Sequence, residues 1–177
     1  MGLFHRRDVP PAEVLAHLPR EERVLSWADT TDGRVVLAAP AGLWWPAGAA
    51  VRLIGWQYVT KAVWRDGTLS VIEADVVDDL LLVDRAPVAV ALATPRDLPP
   101  TVRKRVEANV VSSEVLGVGG GVARFVARRV PGHDGAAWWA RLERGTPDTE
   151  QLRSAVRARL TILRAEQDEQ LRLIQPW

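Results

Sequence analysis

The chain has 177 residues, with 23 basic and 22 acidic side chains, a net charge of +1, eight tryptophans and no cysteine. The length is typical of one domain, so we expect residues 1–177 to form a single domain, with a core at 20–115 and an appendage at 116–177. The missing cysteines exclude disulfides, iron–sulfur clusters, cysteine zinc sites and thiol nucleophiles. The near-neutral charge argues against a strongly polyanionic partner.

The N-terminal residues lack the apolar run of a secretory signal, and no stretch of about 18 apolar residues occurs in the chain. We therefore expect a cytoplasmic protein. Leu3 and Phe4 lie beside Arg6 and Arg7, and this short apolar and basic start is suited to contact with an anionic membrane surface. A membrane-peripheral location is therefore the alternative.

Short strands are predicted for the first half of the chain. A helix that Asp8 caps and Pro19 ends comes first. From residue 23 to residue 94, apolar residues then recur with a period of two, interrupted by turns such as Asp32-Gly33 and Asp66-Gly67. We expect about seven short strands among eight candidate segments, which are 23–29, 34–40, 42–45, 51–54, 58–64, 68–74, 80–83 and 87–93. No crossover helix separates them, which favours a small antiparallel barrel or bent sheet.

The second half begins where the period changes to 3.6. Val102, Val106 and Val110 share one helical face, and the run Gly117–Gly121 is predicted to end this helix. A β-hairpin at 122–130 and 137–143 and a long helix at about 149–171 follow, so the predicted fold class is α+β. The core stripe of the long helix would comprise Leu152, Val156, Leu160 and Leu163.

Two pairs of segments resemble bacterial pleckstrin-homology-like (PH-like) domains: Glu22–Ala28 with Gly33–Ala38, and Arg52–Val59 with Ala62–Leu69. The segments and the family share a recurring pattern of tryptophan, glycine and β-branched residues. They do not share a set of catalytic positions. The resemblance covers residues 20–94, with the helix after Pro99 as the closing element, and the whole chain is similar to actinobacterial proteins of this length. It implies a bent sheet closed by a helix, and a lipid headgroup as one ligand class.

The first hairpin departs from the phosphoinositide-binding members of that family. Those members place several lysines or arginines around this hairpin. Here its loop carries Asp29, Asp32 and only one base, Arg34. Phosphoinositide binding is therefore not expected.

The candidate contact surface consists of two adjacent tryptophan pairs, Trp44-Trp45 and Trp138-Trp139. Neighbours on a strand point to opposite faces, so one indole of each pair should face outward, where aromatic side chains anchor partners. The alternative is that both indoles of each pair belong to the core or cover a sheet edge. Three further tryptophans are predicted to be core residues: Trp27, Trp56 and Trp64.

Catalytic and metal-ligating patterns are not found. His133-Asp134 belongs to a Pro-Gly-His-Asp-Gly turn, no Gly-x-Ser-x-Gly elbow occurs, and His5, His17 and His133 lack ligand spacing. Gly117–Gly121 lacks the Gly-Lys-Ser/Thr ending of a phosphate-binding loop. We therefore predict no catalytic residue, no cofactor and no metal.

The charges are unevenly distributed. Residues 66–84 hold six acidic and no basic side chains, whereas residues 85–129 hold eight basic and three acidic ones. We interpret these segments as solvated faces that attract each other or as complementary ends of a self-associating protein; a calcium loop and an anionic partner are the alternatives. The acidic segment lacks the order of a calcium loop, and Phe125 is the one aromatic residue of the basic segment, which argues against nucleic acid.

These observations favour a non-catalytic binding or scaffold module that contacts a protein partner or a second copy of itself. The alternative is a peripheral membrane domain that binds an anionic lipid headgroup. An enzyme would require carboxylates and arginines to converge in a cleft, and a nucleic-acid protein would use the helix at Arg103–Arg105.

Overall fold

The computed structural model describes residues 9–174 and has an α+β fold. Within these residues, eleven strands form one open and mostly antiparallel sheet. The strands are β1 (Ser26–Thr30), β2 (Val35–Ala38), β3 (Gly42–Ala47), β4 (Ala50–Gly55), β5 (Val59–Arg65), β6 (Thr68–Val77), β7 (Leu81–Asp84), β8 (Val88–Thr94), β9 (Val110–Val118), β10 (Gly121–Arg129) and β11 (Ala136–Leu142). The helices are α1 (Ala12–Leu15), α2 (Leu98–Asn109) and α3 (Glu150–Ile174), with a 3₁₀ turn at Trp56–Tyr58.

The first half of the chain forms a meander that continues through β8 into β6. The strand order is β4-β3-β2-β1-β8-β6, and β5 pairs with β6 on its other side. β2 has the sequence Val-Val-Leu-Ala, and all four residues are buried because apolar side chains cover both faces of the sheet. The predicted hairpin turns at Asp32-Gly33 and Asp66-Gly67 are confirmed, and Gly33, Asp66 and Gly67 have positive φ angles.

The main core of this half lies between the sheet and α2. Leu98 and Val102 of α2 are fully buried there, together with Trp45 of β3 and Val59 of β5. The indole nitrogen of Trp56 donates a hydrogen bond of 2.8 Å to the carbonyl oxygen of Ala39, which satisfies a buried polar group inside the core.

The second half joins the same sheet through β7. The far end of β6 pairs with β7, β7 pairs in parallel with β11 at Leu81 and Ala140, and β10 and β9 follow. α3 covers one face of these strands and packs onto Phe125 of β10. The predicted core stripe of α3 is confirmed at Leu152, Val156, Leu160 and Leu163.

Three predictions about the elements require correction. α2 ends at Asn109, and Val110 opens a strand, because the 3.6-residue spacing from Val102 ends where the β-branched pair Val110-Val111 begins. The expected hairpin is therefore a three-stranded meander, in which Gly119 and Gly120 form the turn between β9 and β10. Residues 26–94 form eight strands where about seven were expected, but these do not make a separate small barrel: the ten-residue β6 also pairs with β7, which joins β9–β11, so one open sheet of eleven strands results.

The N-terminal predictions are tested only in part. α1 is one turn long and starts after Pro11, shorter than the expected helix to Pro19. Asp8 and the segment with Leu3, Phe4, Arg6 and Arg7 lie outside the described residues, as does His5. Among residues 9–174, no helix combines the length and the apolar character needed to cross a bilayer.

Candidate functional site

All four tryptophans of the predicted contact surface are buried. Their exposed fractions are 8% for Trp44, 5% for Trp45, 9% for Trp138 and 6% for Trp139. The two indoles of each pair do point to opposite faces, because each member belongs to a different apolar cluster. The structure therefore corrects the expectation of an outward indole in each pair.

Both faces of the sheet are covered at these positions, which explains the burial. Val14 and Leu18, from the segment around α1, pack on the cluster that contains Trp44. Tyr58 packs on the cluster that contains Trp139, with their ring centroids 6.3 Å apart. The alternative assignment of the four indoles, to the core or to edge covering, fits this arrangement.

The most exposed tryptophan of the described residues is Trp64, near the tip of the β5–β6 hairpin. Its exposed fraction is 40%, and that of Val63 is also 40%. The prediction that Trp64 is a core residue is therefore wrong. Its position two residues before the Asp66-Gly67 turn is the signal that sequence reasoning missed, since burial decreases toward the end of a hairpin.

Trp64 lies in a groove of about 600 Å³ between β5 and α2. Its apolar lining also includes Leu69 of β6 and Pro99, Val102 and Val106 of α2. α2 is placed here because its proline-rich first turn follows β8 directly and its valines pack into the main core beside Ala62. The groove therefore combines apolar side chains with one border of the sheet.

That border is the edge of β5, which pairs with β6 alone within residues 9–174. The two-residue turn at Asp66-Gly67 closes on the pair Arg65–Thr68, and backbone hydrogen bonds then alternate along the ladder. Arg65 and Val63 consequently bond to β6, whereas the backbone N–H and C=O groups of Ala62 and Trp64 point away from it, toward the groove.

The cations around this groove already have carboxylate partners. Arg103 donates to Glu107 at 2.8 Å, and this contact raises the pKa of Arg103. Arg96 stacks on the indole of Trp27 at 3.7 Å and forms an ion pair of 2.9 Å with Asp29. A neutral apolar occupant therefore fits the groove better than a phosphate does.

The first hairpin has no spare cation for an anionic headgroup. Arg34 binds Asp32 through two nitrogens, at 2.9 Å and 2.6 Å. Hydrogen bonds from Arg34 and then from Thr30 hold the pKa of the Asp32 carboxyl well below its usual range. Arg34, the single basic residue of this loop, is therefore already neutralised by a carboxylate of the same loop.

The acidic segment 66–84 is also largely neutralised inside the molecule. Glu73 binds both Arg52 and Arg85, and Arg85 also binds Asp75. The remaining partners lie on β11 and α3, in the pairs Asp84–Arg141, Asp78–Arg153 and Asp79–Arg164. Of these five arginines only Arg85 belongs to residues 85–129, so the expected attraction between the acidic and the basic segment is largely replaced by ion pairs with other parts of the chain.

The arrangement favours binding through contacts and hydrogen bonds. Within the described residues, no three His, Asp or Glu side chains are grouped to hold a metal ion, and His133 lies in the predicted turn, with its Nδ1 3.3 Å from the carbonyl oxygen of Pro131. Comparisons with protein-family models, curated proteins and solved structures find no match. What the site offers is an unpaired backbone edge beside an apolar wall, the two elements of strand addition.

Proposed function

We propose that the protein is a non-catalytic protein-binding module that takes an extended, apolar segment of a partner into the groove between β5 and α2. The observation that carries this proposal is the unpaired edge of β5 at Ala62 and Trp64, beside the apolar wall of α2. The partner backbone would pair with these two residues, and its alternate side chains would contact Trp64 and Val106.

The proposal extends to a PH-like organisation of the first half of the chain. Its support is the strand order β4-β3-β2-β1-β8-β6-β5, followed by α2 packed on the shared core. In this view, β7 is an additional strand that follows β6 in the chain and precedes β8. It pairs with the far end of β6 and links the module to the C-terminal meander. The groove would then lie between β5, the last strand in this order, and α2, the closing helix.

Binding of an anionic lipid headgroup has less support. Arg34, Arg96 and Arg103 each have a carboxylate partner, so a phosphate would have to displace an existing ion pair. Apolar contact requires no such exchange. Burial of apolar surface favours binding by about 25 cal/mol per Å², and the backbone hydrogen bonds to β5 would add to the apolar contacts in offsetting the freedom lost on association.

A random-peptide display library, selected on the purified protein, tests the proposal. We expect enriched peptides with alternating apolar residues and at least about tenfold weaker binding to Ala62→Pro, because proline lacks the N–H group that the peptide would use. Leu53→Pro is the matched control. The N–H of Leu53 points away from β3 on the edge of β4, outside the groove, so this variant should bind normally.

A second measurement locates the bound peptide on the protein. In the wild-type protein, added peptide should shift the backbone amide resonances of Ala62 and Trp64 more than that of Leu53. The proposal is overturned if no peptide is enriched, or if enriched peptides bind Ala62→Pro as tightly as wild type. A flotation assay with anionic vesicles tests the lipid alternative. The proposal is also overturned if wild type and Ala62→Pro both bind these vesicles and if salt weakens the binding of both.

A further inference from the structure

A second cavity lies between the end of α2 and the loop that joins β10 to β11. It has a volume of about 540 Å³, within the range of about 300–1,000 Å³ that is usual for small-molecule sites. Its lining comes from both halves of the chain, with Trp56 and Asn109 from the first half and residues 129–135 from the second. Among the described residues, none lines both this α2–β10 cavity and the β5–α2 groove.

Two arginines line the α2–β10 cavity without an ionic partner in the described part of the chain. Arg105 belongs to α2, and Arg129 is the last residue of β10. Neither guanidinium group forms an ion pair or donates a hydrogen bond within residues 9–174. Arg103 on the same helix, by contrast, is paired with Glu107. The cavity therefore contains two positive charges that these residues leave unneutralised.

Asn109 holds the two arginines near each other. Arg105 precedes it by four residues on α2, so both side chains lie on one face of the helix, one turn apart. The Nδ2 atom of Asn109 donates a hydrogen bond of 2.7 Å to the backbone carbonyl oxygen of Arg129. Asn109 is only 5% exposed, so this bond fixes the end of α2 against the end of β10. The backbone positions of both arginines are therefore fixed before a ligand binds, which lowers the entropic cost of binding.

The β10–β11 loop adds backbone donors to the same cavity. Gly132 and Gly135 have positive φ angles, of +78° and +85°, and the N–H group of His133 bonds back to the carbonyl oxygen of Val130 at 3.1 Å. The backbone N–H groups of Gly132 and Asp134 donate no hydrogen bond in the part of the chain that the structure describes. Both residues line the cavity, and loop N–H groups of this kind are donors to phosphate oxygens.

We propose that the α2–β10 cavity binds the phosphate group of a small, soluble phosphate monoester between Arg105 and Arg129. A phosphate monoester carries about 1.5–2 negative charges at neutral pH and three acceptor oxygens. Two guanidinium groups, each able to form a bidentate pair, match this charge and these oxygens. A carboxylate has one charge and two oxygens, so it would fully engage only one of the two arginines.

Two acceptors in the lining favour an ester with hydroxyl groups over inorganic phosphate. The Oδ1 atom of Asn109 is buried without a hydrogen-bond donor among the described residues, although buried acceptors usually have one. The carboxylate of Asp134 also lines the cavity, and within residues 9–174 it forms no ion pair. The hydroxyl groups of a sugar phosphate or a polyol phosphate would donate to such acceptors. A lipid headgroup fits less well, because Gly132 and His133 of the loop offer no apolar side chain for insertion among acyl chains.

Calorimetric titration of the full chain with ribose 5-phosphate, glycerol 3-phosphate, inorganic phosphate and unphosphorylated ribose tests the proposal. We expect both esters to bind more tightly than inorganic phosphate, and ribose not to bind. Arg105→Gln and Arg129→Gln should each weaken ester binding at least about tenfold, because each removes one charge-assisted contact. Melting temperatures close to that of wild type should show that both variants are folded. Arg157→Gln makes the same change of charge at an exposed position of α3 outside the cavity, so it should bind normally.

Backbone amide resonances locate the bound ester. Ribose 5-phosphate should shift the resonance of Gly132 more than that of Gly33, which lies in the first hairpin. Ala62→Pro should bind the ester normally, because the cavity is separate from the β5–α2 groove. Either proposal can therefore fail while the other holds.

The phosphate site is overturned if no phosphate probe binds at millimolar concentration, or if ribose binds as tightly as ribose 5-phosphate. It is also overturned if Arg157→Gln weakens binding as much as Arg105→Gln does, because the effect would then come from total charge. Equal binding of inorganic phosphate and both esters contradicts the preference for hydroxyl groups. Binding to phosphatidic acid vesicles without binding to the soluble esters contradicts a soluble ligand.

Discussion

Arg128 on β10 donates a hydrogen bond of 3.0 Å from its guanidinium group to the carbonyl oxygen of Val59 on β5. The bond joins the C-terminal meander to the first half of the chain. Arg128 is only 4% exposed. Burial, and then the nearby charge of Arg141, lower its pKa to about 10, while Asp84 acts in the opposite direction. The cation is therefore kept in an environment that disfavours its charge.

Replacement of this arginine with lysine should make stability depend on alkaline pH. The same burial would lower the pKa of a lysine below its ordinary value, so the unfolded state would bind more protons than the folded state in that range. The stability of Arg128→Lys relative to wild type should therefore rise between about pH 8 and pH 10.

Urea unfolding at several pH values measures this effect. Arg129→Lys, at the exposed neighbouring position, is the control and should show no such rise. If the stability difference between Arg128→Lys and wild type stays constant over this pH range, burial is not the main cause of a lowered pKa at position 128.

The β9–β10 turn makes a second prediction, because its two glycines have different surroundings. Both have positive φ angles, +54° at Gly119 and +81° at Gly120. A Cβ at Gly119 would lie 2.7 Å from the Cα of Leu152 on α3, whereas a Cβ at Gly120 would meet nothing within 4 Å. Gly120→Ala should cost about 1 kcal/mol, and Gly119→Ala clearly more, about 2–3 kcal/mol. Equal losses in chemical unfolding would show that α3 does not restrict the turn.

The start of α3 makes a third prediction, about acid. Arg153 binds Asp148 before the helix and Asp78 beside β7. Its hydrogen bonds lower the pKa of the Asp148 carboxyl. A carboxyl with a lowered pKa stabilises the fold above its unfolded-state pKa, and this contribution is lost as the pH falls through the folded-state pKa.

Arg153→Met should therefore lower the melting temperature at pH 7, and the difference from wild type should disappear at about pH 2. Thermal unfolding monitored by circular dichroism gives both values. Arg157→Met changes an exposed arginine on the same helix and should have little effect at either pH. A difference that persists undiminished in acid would assign the role of Arg153 to its aliphatic stem instead of its charge.

The packing of α3 makes a fourth prediction. Leu160 is 1% exposed inside the cluster that contains Phe125, whereas Ile162, two residues later, is 49% exposed. Leu160→Ala should cost about 2–5 kcal/mol through lost burial and the cavity left behind, and Ile162→Ala less than about 0.5 kcal/mol. Denaturant midpoints distinguish the two. Similar losses at both positions would mean that another surface covers Ile162.

Local patterns predicted the elements well where local chemistry determines them. The turns at Asp32-Gly33 and Asp66-Gly67 and the stripe from Leu152 to Leu163 were recognisable because turn conformation and helical spacing depend on neighbouring residues. β9 was missed because Val110 continues the valine spacing of α2 while also beginning a β-branched segment. A helix pattern and a strand pattern overlap at that residue.

Long-range pairing and the candidate groove left no comparable signal. The parallel contact of Leu81 with Ala140 joins residues far apart in the chain, and neither flanking sequence marks it. Trp64 was assigned to the core because tryptophan is usually buried, whereas its exposure depends on where the β5–β6 hairpin ends relative to α2. Adjacent tryptophans correctly indicated opposite faces, but not that both faces were covered.

The junction of β7 with β11 has a consequence for local opening. The backbone amide of Ala140 donates to the carbonyl oxygen of Leu80 at 2.9 Å, across the boundary between the two halves. Amide hydrogen exchange at this one position would therefore report separation of the halves. Exchange at Leu37, which lies deep in the first meander, would report the unfolding of that meander. If Ala140 exchanges much faster than Leu37, the molecule opens along this junction well before either half unfolds.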